Sequence, residues 1–254
     1  MTAPGYTETF ISIGLALLAI GISRFWKLDA EKDMAIGSVR AFIQLIAVGY
    51  ALNFIFDMKS PWLILLALAV MIIVGAQAAS SKVKGFKGSF LLVMLAMSTG
   101  SLLTIGLMMG FDIISFEARY VIPLGGMIIG NSMNASALTI DRICSDVSSH
   151  RLAIETSLAL GKTWRTASKK YIKSSTVTGM IAILNSLKTI GIVALPGAMT
   201  GMILAGAEPL DAVLLQIIVM YMILFAVTVT SVVTVEMTVR RFFTANDQLK
   251  NLNC

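Results

Sequence analysis

Residues 61–79 read PWLILLALAVMIIVGAQAA, with no Asp, Glu, Lys or Arg among them. As a helix rising ~1.5 Å per residue they cover about 28 Å, close to the ~30 Å hydrocarbon thickness of a bilayer. Six more apolar stretches repeat the pattern, at about 8–26, 34–56, 90–110, 119–140, 176–204 and 210–237. A backbone crossing lipid has no water to bond its N–H and C=O groups, so each crossing is expected as a helix. The reading is an all-α integral membrane protein with about seven transmembrane helices. No internal repeat or low-complexity linker divides it, so residues 1–254 are read as one membrane domain.

Composition excludes an ordinary soluble domain. The chain is 57% hydrophobic and 13% charged, against ~25% charged in soluble proteins, and its mean hydropathy is +0.85. A net charge of +6 would suggest a nucleic-acid partner in a soluble protein. Here the positions of the charges matter more, lipid is the expected surroundings, and no nucleic acid is expected. Of the 20 Lys and Arg residues, all but Lys59, Arg119, Arg40 and Lys188 fall in inside loops if the N-terminus is outside. The positive-inside rule then gives an outside N-terminus and a cytoplasmic C-terminus. Arg40 is expected to snorkel to the interface. Glu8 stands where a signal peptide would carry basic residues, and Arg24 follows the apolar run, so no cleavable signal is read there.

Loops elsewhere are short, but residues 141–175 stay polar and basic. Within them 145–173 is expected to be helical with a break. Ile154, Leu158, Gly161 and Trp164 recur at spacings of four and three, one apolar stripe. Lys162, Arg165, Lys169, Lys170 and Lys173 supply a basic side, and Gly161 interrupts the helix. Two uses fit: a helix resting on the anionic inner leaflet, or a docking element for a cytoplasmic partner. Residues 155–161, ETSLALG, resemble the Glu-Ala-Ala, three residues, Gly loop of ABC transporter permeases. In that family the loop is a coupling helix seated in a cleft of the ATP-binding subunit. The resemblance puts Glu155 at the Glu, Thr156 and Ser157 at the two Ala and Gly161 at the Gly. The Leu-Pro that often closes the longer motif is absent.

The neighbouring LALGKT, 158–163, looks like the end of a phosphate-binding loop. That loop needs a Gly five residues before its Gly-Lys-Thr, where this chain has Thr156. No hydrophobic strand precedes it. Any ATP, with its Mg, is therefore expected on a separate subunit, and no cofactor is expected in this chain.

Two membrane stretches depart from plain aliphatic helix. In 122–138, IPLGGMIIGNSMNASAL, Gly126 and Gly130 form a small-xxx-small pair, and Asn131 and Asn134 sit near mid-span. The stretch suits either a helix-packing face or a translocation path. In 184–209, LNSLKTIGIVALPGAMTGMILAGAEP, Pro196-Gly197 is expected to break the helix. An ionisable residue at such depth is a functional candidate. Lys188 therefore either snorkels, pairs with Glu236 on the last helix, or serves the path together with Thr189, Leu195, Pro196, Gly197, Met199 and Thr200.

These two stretches, with the Glu–Gly loop between them and SVRAFIQLIAVGYAL at 38–52, resemble the Fet-type ABC permease family. That family includes a bacterial iron exporter subunit and plant aluminium-tolerance membrane subunits. The resemblance implies a permease of the bacterial inner or plasma membrane, two copies working with two ATP-binding subunits, and iron export. It leaves export of another solute, a sugar nucleotide or an amphiphile, as the alternative. A secondary transporter would want paired intramembrane carboxylates or inverted repeats, and neither is seen. Metal-ligand chemistry is thin: His150 is the sole His, and Cys144 and Cys254 are the two Cys, both on the cytoplasmic side where no disulfide is expected. The 16 Met residues either fill the core or offer soft ligands.

Overall fold

The computed structural model describes residues 6–57, 60–82, 88–244 and 246–250, and they are almost wholly helical. Lys59, Lys84, Lys87 and Cys254, placed in loops or at the terminus by sequence, lie outside the described residues. Two compact units are present, Met1–Ser60 and Pro61–Cys254.

In the first unit, α1 (Tyr6–Phe25) packs on α2 (Glu31–Asp57) as a hairpin. The link turns through Lys27 and Asp29, with φ of 53° and 55°, and the Leu28 N–H bonds back to the Ser23 carbonyl at 3.1 Å. Glu31 and Asp33 occupy the first turn of α2, where negative charge complements the helix dipole. Leu15, Leu18, Leu45 and Tyr50 are exposed, as a surface solvated by lipid allows.

The second unit holds α3 (Pro61–Lys82), α4 (Ser89–Gly110), α5 (Ala118–Ser149), α6 (Arg151–Ala159), α7 (Trp164–Thr189), α8 (Gly197–Leu204) and α9 (Pro209–Phe242). The part of α2 from Glu31 to Leu52, and all of α3, α4 and α9, are long and apolar enough to cross a membrane, and α1 adds a shorter apolar run, Ile11–Phe25. This is a multi-pass membrane protein.

Side-chain contacts fix the helix directions. Ser132 and Ser136 of α5 meet Thr230 and Thr234 of α9, each at 3.2 Å, so these two helices run parallel. Leu68 lies against Gly125, and Gly75 against Ile129, so α3 runs with them. Arg241 donates to the Gly88 carbonyl at 2.9 Å, while Gly100 lies against Ala226 and Thr230, so α4 runs the other way. The start of α7 packs on the end of α9, since Trp164 and Phe243 stack. Thus α3, α5 and α9 point one way and α4 and α7 the other, the alternation that successive crossings require.

Close approach needs small residues at two places. A Cβ on Gly100 would fall on the Thr230 hydroxyl and 3.0 Å from the Ala226 carbonyl oxygen. One on Gly179 would fall on the Thr139 hydroxyl and 2.8 Å from Ser231 Oγ. This explains why α5, α7 and α9 carry Ser, Thr and Gly at buried positions: the helices touch almost backbone to backbone. Of the expected Gly126/Gly130 pair, Gly126 meets Met71, but Gly130 has open space beside it; the tighter contact is at Gly125, on Leu68.

Three boundaries differ from expectation. Helix α5 does not stop near residue 140 but runs to Ser149, because Ile140, Ile143, Cys144 and Val147 continue its buried stripe. Helix α9 likewise continues to Phe242, which is buried. The stretch 176–204 is two helices, and the break precedes Pro196. Gly191 takes a left-handed φ of 80° and its N–H bonds the Ala194 carbonyl at 3.0 Å, while the Thr189 carbonyl accepts from Val193 at 2.9 Å. Pro196 then serves as the N-cap of α8, with ψ of 146°. At eight residues, α8 is about 12 Å long, too short to cross.

Candidate functional site

The polar segment between α5 and α7 folds into a nine-residue helix, α6. Ile154 anchors it and is 1% exposed. Gly161 ends it as the sequence implied, with φ of 79° and its N–H on the Leu158 carbonyl at 2.9 Å. Glu155 is held by Arg151, one turn back, at 2.8 Å. Thr156 is exposed and returns its hydroxyl to the Leu152 carbonyl; Ser157 is half-buried. Opposite Ile154, Leu152 is 79% exposed and Leu160 is 75% exposed, one on either side of Thr156. The basic side forms as expected: Lys162, Arg165, Lys169, Lys170 and Lys173 are all exposed.

The end of this segment is clamped to the end of α9. The Trp164 and Phe243 rings stack at 5.8 Å. Arg165 pairs with Glu236, which also faces Arg240 at 3.6 Å. Glu236 is therefore committed to the start of α7. Lys188 lies 23 residues further along that helix, about 35 Å away, so the Lys188–Glu236 pair, one of the three alternatives for Lys188, does not form.

A cavity of about 340 Å³ lies where α5, α7, α8 and α9 meet. Four of the residues singled out by sequence line it: Asn131, Thr189, Pro196 and Gly197. Asn131 donates its amide to the Met127 carbonyl at 2.8 Å, and Thr189 its hydroxyl to the Asn185 carbonyl at 3.1 Å. Lys188, Asn134 and Leu195 are exposed on the chain's own surface, and Met199 and Thr200 are half-buried on α8; none of these five lines the cavity. Sequence reasoning passed over Gln216. It lines the cavity, is 6% exposed, and its Oε1 has no hydrogen-bond partner among the described residues. The signal was present, since Gln216 is the lone amide in the run LDAVLLQIIVMYM at 210–222.

Beyond the cavity, toward the C-terminal ends of α5 and α9, buried hydroxyls line the contact between these helices. Ser132, Ser136, Thr139, Thr230, Ser231 and Thr234 are each fully buried. No group of three His, Cys, Asp or Glu residues able to hold a metal occurs among the described residues.

Residues 6–243 match the uncharacterised protein family UPF0014. The membrane protein YjkA of Bacillus subtilis is 38% identical over 245 residues, 96% of this chain and 98% of that protein. STAR2, a membrane protein of rice (Oryza sativa subsp. japonica), is 34% identical, covering 98% of this chain and 90% of its own length. The probable iron export permease protein FetB of Escherichia coli is 34% identical over 239 residues, 94% of this chain and 92% of that one. No solved structure matches. With the match running through every helix from α1 to α9, the chain belongs to the UPF0014 family of membrane proteins.

Proposed function

We propose that the chain is the permease subunit of an ATP-driven exporter and that α6 couples it to a separate ATP-binding subunit. The observation that carries this reading is the exposed face of α6. Leu152 on α6 and Leu160 at its C-cap are exposed, and Ile154 anchors the opposite face. Together with the Glu155–Gly161 spacing, these two leucines supply the apolar edge that a partner's cleft would cover. Glu155, Thr156, Ser157 and Gly161 set its shape, and a displacement of α6 reaches the membrane through α7, whose first residues are clamped to α9.

Two copies with two ATP-binding subunits fit the surface of the second unit. Asn134, Asn185 and Lys188 are exposed there, and polar side chains facing hydrocarbon are costly unless protein or water meets them. ATP and Mg belong to the partner. Seven crossings, an outside N-terminus and a cytoplasmic α6 agree with the alternating helix directions and the basic residues around α6. The cargo is iron, on the name of the Escherichia coli relative, and the location is the cell membrane.

The test is co-purification of the chain with its ATP-binding partner. Replacing both exposed leucines, Leu152→Glu and Leu160→Glu, removes no buried group and should leave insertion intact while abolishing capture of the partner. Full capture by the doubly substituted chain would refute docking through α6.

A further inference from the structure

The cavity at the junction of α5, α7, α8 and α9 has a chemical sign. No Asp or Glu lines it. Its wall includes Pro196, Gly197 and Ala198, the cap and first residues of α8. The N-cap has no side-chain hydrogen bond, being a proline. The N–H groups of Gly197, Ala198 and Met199 precede the first intrahelical bond, which runs from Thr200 N to the Pro196 carbonyl at 3.0 Å. Such N–H groups, with the positive end of the helix dipole behind them, favour negative charge.

A second observation marks the same cavity as a ligand site. Gln216 enters the cavity from α9, is 94% buried by its 6% exposure, and has its Oε1 unpartnered among the described residues. A buried amide without a partner is costly, and its O and N ends exchange by rotation about one bond. With the two ends exchanged, its Nε2 donates to a ligand oxygen in the cavity. Ser186 lines the same wall, and Asn131, whose amide N is spent on Met127, keeps an acceptor for a ligand hydroxyl.

We propose that this cavity binds the oxyanion end of the transported solute, a carboxylate or a phosphate, between the N-terminus of α8 and the Gln216 amide. A bare cation would meet the positive end of α8 with no carboxylate to offset it. A metal cargo would therefore cross as an anionic complex. Calling the ligand the cargo rests on the exporter reading above; the binding site itself does not.

The experiment is calorimetric titration of the purified full-length chain in detergent with citrate, with pyrophosphate and with ferrous iron alone. Wild type should bind one of the two oxyanions and not the bare metal. Citrate alone would identify a carboxylate site, and pyrophosphate alone a phosphate site. Gln216→Glu places a carboxylate where the amide stood and should weaken oxyanion binding at least tenfold. Gly197→Pro removes one free N–H at a helix position where proline fits, and should weaken binding several-fold. Three results would overturn the proposal: ferrous iron binding that tightens in Gln216→Glu, oxyanion binding unchanged in both variants, or no oxyanion binding by folded wild type. Oxyanion binding by a chain that captures no ATP-binding partner would keep the site and reject the exporter reading.

Discussion

Arg165, in the first turn of α7, donates to Glu236 of α9 across a separation of 71 residues. One residue before it, Trp164 stacks on Phe243. The two contacts differ in strength for physical reasons. Arg165 and Glu236 are 61% and 31% exposed, so water screens the ion pair and it contributes under ~1 kcal/mol. Phe243 is 4% exposed, and its stacking with Trp164 removes apolar area from water as well as pairing two rings. Trp164 is half-buried, so Trp164→Ala should cost about 2 kcal/mol, below the ~3–5 kcal/mol of a fully buried Trp, and Glu236→Ala under ~1 kcal/mol. Thermal unfolding of the detergent-solubilised chain reads both, and a larger loss in Glu236→Ala would reverse this ranking.

Helix contact at Gly179 leaves no room for a side chain. Gly179→Val would drive methyls into Thr139, Ser231 and the Ala135 carbonyl, and overpacking of this kind costs about 1–3 kcal/mol or more. Gly130→Ala, into open space, should be neutral or mildly stabilising because it favours the helix. Equal unfolding temperatures for the two variants would contradict the packing described for α5, α7 and α9.

Apolar runs in the sequence carry most of the fold. Runs such as 61–79 and 90–110 have no competing signal, and α3 and α4 follow them closely. Boundaries are hidden where a helix leaves the membrane without ending. Asp141 and Arg142 read as the start of a loop, yet Ile143, Cys144 and Val147 keep one face of α5 buried past them. Sequence points to Pro196 for the break before α8 because proline is the louder signal. The break falls at Gly191, since the left-handed φ there turns the chain first, and Pro196, with no N–H to lose, is well suited to cap α8. The end of α6 is legible from Gly161, which takes the left-handed φ of 79° that stops the helix. The cavity is only half legible, because it is assembled from four helices and Gln216 is marked by burial, which a lone sequence does not display.

Side-chain accessibility can be read directly on sealed cells. Ala207→Cys, in the α8–α9 link, should react with an impermeant maleimide added outside. Lys162→Cys, exposed just after α6, should react only once the cells are opened. Native Cys144 is 7% exposed and should stay silent in both. Labelling of position 162 in sealed cells would place α6 outside and refute the proposed docking.

Coupling of transport to ATP through α6 is tested most directly in inside-out vesicles holding the chain and its ATP-binding partner. Iron supplied with citrate should accumulate in the lumen when ATP is added. Accumulation should persist when the proton gradient is collapsed, and should disappear with Leu152→Glu and Leu160→Glu together. Accumulation that needs the proton gradient but not ATP, or that survives undiminished in the α6 variant, would contradict an ATP-driven permease coupled through α6.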